Sequence, residues 1–237
     1  MVFTVSLTQS QILTALRSFL LLVLPAGIEV VQGQDNRVPE PIGPDFVTMT
    51  PLFRERLAWN IDTYEDTVFT GAIAGETLTV TSVSLGTIRL GATVFGEGIV
   101  AGTTITAMGT GVGGIGTYTA SQQQTVASQI MAAGTMNSMQ KTQFTVQLDV
   151  HGPNSGDNVQ VISTTFRDGF AFDQIALSGF DMAPLYAETP HQMPFVNGEQ
   201  QIEQRWVIDI VLQVNPTVAV PTQFAAQLAV LTKTAVQ

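Results

Sequence analysis

The side chains best equipped for chemistry in this sequence lie close together: Asp149, His151 and Asp157. An imidazole beside two carboxylates is the raw material of a metal site or a proton relay. A metal centre, however, needs a third convergent ligand and an ordered outer shell. The chain has only two histidines, His151 and His191, and no cysteine. Without thiols it can form no disulfide, no thiolate zinc site and no cysteine nucleophile. The local pattern predicts a strand that ends at His151 and a helix that begins near Asn154. Asp149 and His151 then share a polar strand face, and Asp157 sits a helical turn away. A histidine at a strand end is more often a surface or interface residue, so no metal ligand, catalytic residue or cofactor is expected.

A second motif, Gly109-Thr110-Gly111-Val112-Gly113-Gly114, fits G-x-G-x-x-G. A dinucleotide site needs that loop to open a helix, whose N-terminal amides meet the pyrophosphate. Here Ile115-Gly116-Thr117-Tyr118-Thr119 follows and reads as a strand, so the glycines predict a turn. No phosphate-cradling G-x-x-x-x-G-K-[ST] exists, because the first lysine is Lys141. No G-x-S-x-G or H-E-x-x-H occurs either.

The densest charge groups are Asp35-Asn36-Arg37 and Arg54-Glu55-Arg56. One reading is a turn held by the Asp35 and Asn36 side chains and a solvated strand edge. The other is ion pairing between subunits through Asp35, Arg37, Arg54 and Arg56. Both readings stand at this point.

The elements that must position these residues follow from composition and periodicity. The 237 residues carry 19 acidic against 9 basic side chains, a net charge of −10, with only 12% charged. That balance argues against gripping nucleic acid over a broad surface, which takes Lys and Arg on phosphates. A chain with 45% hydrophobic residues and few charges is well folded and suits a surface partly covered by an assembly. Near the N-terminus, Thr8 predicts a cap, and Ile12, Leu13, Leu16, Phe19, Leu20 and Val23 share one helical face. Pro25 and Gly27 stop that helix. The competing reading, a cleaved signal, lacks a good small-x-small cleavage site after the apolar run.

From about Val68 to Asn137 the only charged residues are Glu76, Arg89 and Glu97, among many Gly, Thr and Val. This predicts an all-β module of short strands, sandwich- or barrel-like. Strands are expected at 28–31, 46–50, 54–61, 144–150 and 200–214. Helices are expected after Asn154, with Val159, Ile162 and Phe166 inward, and over 221–231. Pro184, Pro190 and Pro194 predict a loop. The fold class is therefore α+β: a mixed or antiparallel sheet flanked by helices, built from residues 1–66 and 138–237. The all-β module, 67–137, would be inserted between two strands that otherwise form a hairpin, which is physically cheap.

Three blocks of the flanking pieces resemble the neck or tail terminator proteins of tailed bacteriophages. The first is Leu24-Pro25-Ala26-Gly27 with Val30-Val31-Gln32-Gly33-Gln34-Asp35-Asn36-Arg37-Val38-Pro39-Glu40-Pro41. The second is Gln147-Leu148-Asp149-Val150-His151-Gly152-Pro153-Asn154, leading into Phe166-Arg167-Asp168. The third is Gln192-Met193-Pro194-Phe195-Val196-Asn197-Gly198-Glu199 with Arg205-Trp206. The resemblance implies a structural virion protein of the tail or neck, assembled in the host cytoplasm, without catalytic residues. It also implies a homo-oligomeric ring, most often a hexamer, that stops tail-tube growth. Its implied partners are other copies of itself, the tail-tube protein, the head–tail connector and a tail sheath where one exists. Genomic DNA would pass through the channel without specific binding, and no membrane is involved. The Gly/Thr/Val phrases of 67–137 resemble small β-modules that decorate phage structural proteins. An alternative function is therefore decoration or adhesion to a cell-surface glycan. An acidic channel wall would repel DNA and let it slide, while ordinary solubility explains the acidity equally well.

Overall fold

The computed structural model describes residues 4–33, 41–193, 195–196 and 202–222. In chain order the elements begin with β1 (Thr4–Val5), α1 (Gln9–Val23), β2 (Glu29–Gln32), β3 (Phe46–Arg56) and β4 (Ile61–Leu85). Then come β5 (Val94–Phe95), β6 (Ile105–Met108), β7 (Gly116–Met139) and β8 (Thr142–His151). The helices α2 (Ser155–Phe166) and α3 (Gly169–Ala176) precede β9 (Met182–Ala187), β10 (His191–Gln192) and β11 (Phe195–Val196). β12 (Ile202–Glu203), β13 (Arg205–Val214) and β14 (Thr217–Thr222) complete the set. Two compact units emerge, one centred on Val5–Ile61 with Met139–Thr217, the other on Asp62–Ser138. Among the described residues strands dominate both and helices belong only to the first, which makes the chain α+β with a strong β bias.

The helical unit is a mixed sheet in the order β10-β13-β8-β3-β2, with β9 also paired to β13. Only β2 and β3 run parallel; β8 lies antiparallel to both β3 and β13. Phe144, Val146, Leu148 and Val150 alternate along β8, as expected, and with Ile208, Ile210, Leu212 and Val214 of β13 they form the core floor. All three helices close over that face. Thr8 caps α1 through a reciprocal capping box with Gln11, and Ile12, Leu13, Leu16, Phe19 and Leu20 are buried. Phe19 meets Phe166 of α2 edge-on, with ring centroids 5.8 Å apart. Arg17 Nε donates to Val30 O at 2.8 Å and ties α1 to β2.

Several boundaries differ from expectation for identifiable reasons. β3 is one strand through Pro51, where its register against β8 shifts between Pro51 and Phe53; the shift accommodates the missing amide. It ends at Arg56, so residues 57–60 are not strand. The expected loop around Pro184 is strand β9, tolerated because β9 is an edge strand and β13 shifts register opposite Pro184. The α3 helix was not expected; it buries only Ala171 and Ile175, too narrow a stripe to read. Asn154 does precede α2 but makes no side-chain cap bond. Its amide side chain instead donates to Asp45 Oδ2 at 2.8 Å. Ile202 lies in β12, exposed, rather than in β13. Pro221 and Thr222 end β14, and the rest of the expected C-terminal helix lies outside the described residues.

The second unit is all β. Its sheet runs β1-β14-β7-β4, with β5 and β6 also on β7. β4 doubles back about Gly75: Thr81 Oγ1 donates to Thr70 O at 3.2 Å and Ser84 Oγ to Val68 O at 3.1 Å. β6 pairs with β7 near Tyr118, β5 pairs with it near Ala132, and a Thr93–Thr104 bridge joins β5 to β6. The core holds Phe69, Ile73, Leu78, Ile88, Ile105 and Tyr118.

The turn from β8 into α2 depends on one residue. Gly152 has φ +101°, and a Cβ there would lie 2.2 Å from Pro44 O. Gly152→Ala is therefore expected to destabilise the helical unit by roughly 2 kcal/mol or more, read as a lower midpoint in urea. An unchanged midpoint would show that the turn has another solution.

Candidate assembly surface

The acid–imidazole group does not converge. Asp149 is paired with Arg205, whose Nε donates to Oδ1 at 2.9 Å while Nη2 donates to the same oxygen. His151 Nδ1 lies 3.0 Å from Glu203 Oε1, and its ring stacks on Phe46 with centroids 4.3 Å apart. Asp157 occupies the first turn of α2, where a carboxylate complements the helix dipole. His191 is exposed on β10, opposite Val207. Among the described residues no group of three or more His, Cys, Asp or Glu could hold a metal. What Asp149 and His151 do is mechanical: their partners lie on β13, β12 and β3, so they pin neighbouring strands to β8.

The glycine motif is a turn. β7, not a helix, follows it. Tyr118, fully buried, accepts a bond from Gly113 N at 3.0 Å and donates to Gly114 O at 2.6 Å. Gly111 is needed because a Cβ there would fall 2.4 Å from the Tyr118 ring. The loop's polar groups thus point inward at tyrosine and leave no cradle for phosphate.

Of the four residues expected at a subunit interface, Asp35 and Arg37 lie outside the described residues. Arg54 and Arg56 occupy the exposed end of β3, opposite Phe144 and Thr142 of β8. The Arg54 guanidinium sits 4.7 Å over the Phe144 ring. Arg56 Nη2 donates to Asn60 Oδ1 at 2.9 Å. Lys141 lies at the same end of the sheet, where Leu57 N donates to its carbonyl at 2.9 Å. None of these three cations has a carboxylate partner among the described residues.

Their surroundings are apolar and open. All ten residues from 52 to 61 are exposed, including Phe53 at 57% and Trp59 at 86%. β2 pairs with β3 only up to Met49, so the outer edge beyond it faces an open cleft of about 440 Å³, lined by Gln32, Gly33, Leu52, Phe53 and Arg54. Soluble monomers rarely leave aromatic and aliphatic side chains exposed together. Phe53, Leu57 and Trp59 were not singled out from sequence. The signal was there in Leu57-Ala58-Trp59, whose apolar residues read as the buried face of a strand that in fact ends at Arg56.

A family model described as phage neck terminator protein matches residues 104–234, just over half the chain. The match begins inside the segment expected to be an insert, so β6 and β7 both fall within it. No curated protein matches the chain. No described helix is long and apolar enough to cross a membrane.

Two substitutions separate what folds this chain from what its surface is for. Tyr118→Phe strands the Gly113 amide and should cost about 1–3 kcal/mol of stability. Trp59→Ala removes a side chain that buries almost nothing, so the dilute protein should keep its stability within about 0.5 kcal/mol. Urea unfolding at low protein concentration measures both, and a large loss for Trp59→Ala would mean that it packs within its own chain.

Proposed function

The chain belongs to the phage neck terminator protein family, and from that premise we propose that it is a subunit of a closed homo-oligomeric ring that caps the tail tube. A structural role in the phage neck is what family membership carries. The ring, with six copies as the simplest count, and its junction with the head connector are our reading. The observation that carries it is the run of exposed residues 52–61, with Trp59 and two arginines on a chain otherwise poor in charge. Such a surface is useful only when covered. The proposed partners are further copies of the chain, the tail-tube protein and the connector, with DNA passing through the centre without specific contacts.

Decoration or adhesion draws no support from the aromatics of residues 67–137: Phe69 and Tyr118 are buried and Phe95 is half-buried. Within the proposal, residues 1–66 and 138–237 form the ring-building domain and 67–137 an inserted module. Asp35 and Arg37, on the proline-stiffened loop, join Arg54 and Arg56 at the interface.

Negative-stain images of the purified protein mixed with tubes of tail-tube protein test the function directly. Rings seated on tube ends are expected; a monomer that leaves the tubes uncapped would sink it. Deleting residues 69–136 and rejoining the ends with a short turn should leave a soluble, ring-forming protein. Insoluble or unfolded product would argue against a removable insert. Arg37→Ala should shift the ring toward monomers on dilution, and an unchanged sedimentation profile would return Arg37 to the role of a solvated turn residue.

A further inference from the structure

The helical unit carries a second exposed patch of opposite character. On and beside α3, Phe170, Phe172 and Leu177 are 42%, 56% and 78% exposed. Asp168 and Asp173 are exposed among them, and neither is ion-paired among the described residues. Between α1 and α3 runs a groove of about 410 Å³, floored by Ala15 and Phe19 and walled by Leu22, Leu177 and Phe180. This is an apolar slot with carboxylates beside it. The patch at the end of β3 is its complement: an exposed indole at Trp59 beside the sheet end that carries Arg54, Arg56 and Lys141, with Glu55 between the two arginines.

The two patches lie toward opposite edges of one sheet. β3 is the strand next to the β2 edge, whereas α3 packs on β9 at the opposite edge. A patch cannot reach its complement in its own chain, but it can reach the complement in a second copy. Contacts between unlike patches are heterologous, and they build a ring when the rotation closes. Buried aromatic anchors with arginines are what dominate such interfaces.

We propose that the ring is made by this pairing: Trp59 of one copy seats in the α1–α3 groove of the next, with Arg54 and Arg56 set against Asp168 and Asp173. The assignment rests on the ring reading above and adds the surface, its polarity and its partner. Net charge supports a second copy as occupant. A chain at −10 offers few cations, and three that have no carboxylate among the described residues gather where an acidic neighbour would meet them. Pro184 in β9 removes a backbone donor from the opposite edge, which favours side-chain docking over strand addition there.

The test is a charge-reversal series followed by sedimentation over a dilution series. Arg54→Glu with Arg56→Glu, and separately Asp168→Arg with Asp173→Arg, should each raise the concentration needed for assembly by about tenfold or more. Asp168 makes no side-chain cap bond, so its replacement removes no hydrogen bond from α3. Mixed one to one, the two variants should rebuild an alternating ring, because each patch of one variant then meets a patch of opposite charge on the other. All four reversals in one chain should restore the ring. As a measure independent of these variants, Trp59 emission in a Trp206→Phe background should shift to the blue and resist acrylamide quenching as the protein assembles. A parent that stays monomeric at every concentration overturns the ring itself. A parent that forms rings, while the reversals assemble normally and Trp59 stays quenchable, overturns only this pairing. Reversals that each abolish assembly but are rescued neither by mixing nor by combining all four also overturn it.

Discussion

Everything in the helical unit hangs on β8. It is the one strand with long partners on both sides, β3 over ten residues of its length and β13 over the same ten. Its inward side chains Val146, Leu148 and Val150 are fully buried. A strand paired on both edges has no backbone polar group left to satisfy, so its cost of burial is met entirely within the sheet. The helices then need only cover the apolar floor. Asp149 and His151, which look like reactive groups in isolation, serve the same strand: one pairs with Arg205 and the other stacks on Phe46 and meets Glu203. Each links β8 to a neighbour. Pairing of this kind is worth little where solvent reaches it and more where it is shielded, and Asp149, with 10% of its side chain exposed, is well shielded.

How much of this was legible in the sequence depends on where periodicity was clean. α1 could be read because capping residue, apolar face and stop signals agree. β8 could be read because four apolar residues alternate without interruption. What failed was local chemistry overridden by context. Proline punctuated β3 and β9 as though it ended them, yet both strands continue past it because a register shift absorbs the missing amide. α3 was invisible because Gly169 opens it and only two of its residues are buried. The residues proposed for the interface were half legible: Arg54 and Arg56 stood out as charge, while Trp59 was hidden by an alternation that in other proteins marks a core. Sequence alone cannot tell an apolar side chain that faces the core from one that faces a neighbour.

The distribution of cations makes that distinction physical. Of the nine Lys and Arg residues, Arg37 and Lys233 lie outside the described residues, Arg17 and Arg167 hold backbone carbonyls, and Arg89 and Arg205 hold carboxylates. Arg54, Arg56 and Lys141 are left at one end of one sheet, beside the more exposed of the two tryptophans. In a chain so acidic, placing three cations together without acidic partners raises local repulsion, and Arg54 relieves it only by stacking on Phe144. A cluster of that kind sits more comfortably when carboxylates from outside the chain complete it.

A ring of strongly acidic subunits must also overcome its own net repulsion, which accumulates with every copy added. At physiological ionic strength that repulsion is screened beyond about 8 Å, whereas a desolvated arginine–carboxylate contact is screened much less. Salt therefore acts in two directions: it weakens the rim charges that steer docking, and it relieves the repulsion between bodies. The apolar part of the contact is indifferent to both. An interface anchored by a tryptophan and framed by charge can thus hold across a range of ionic conditions, with the charges selecting the orientation and the indole supplying most of the hold. On that division, an exposed indole set beside cations that have no carboxylate among the described residues is worth more than the two spread over the surface.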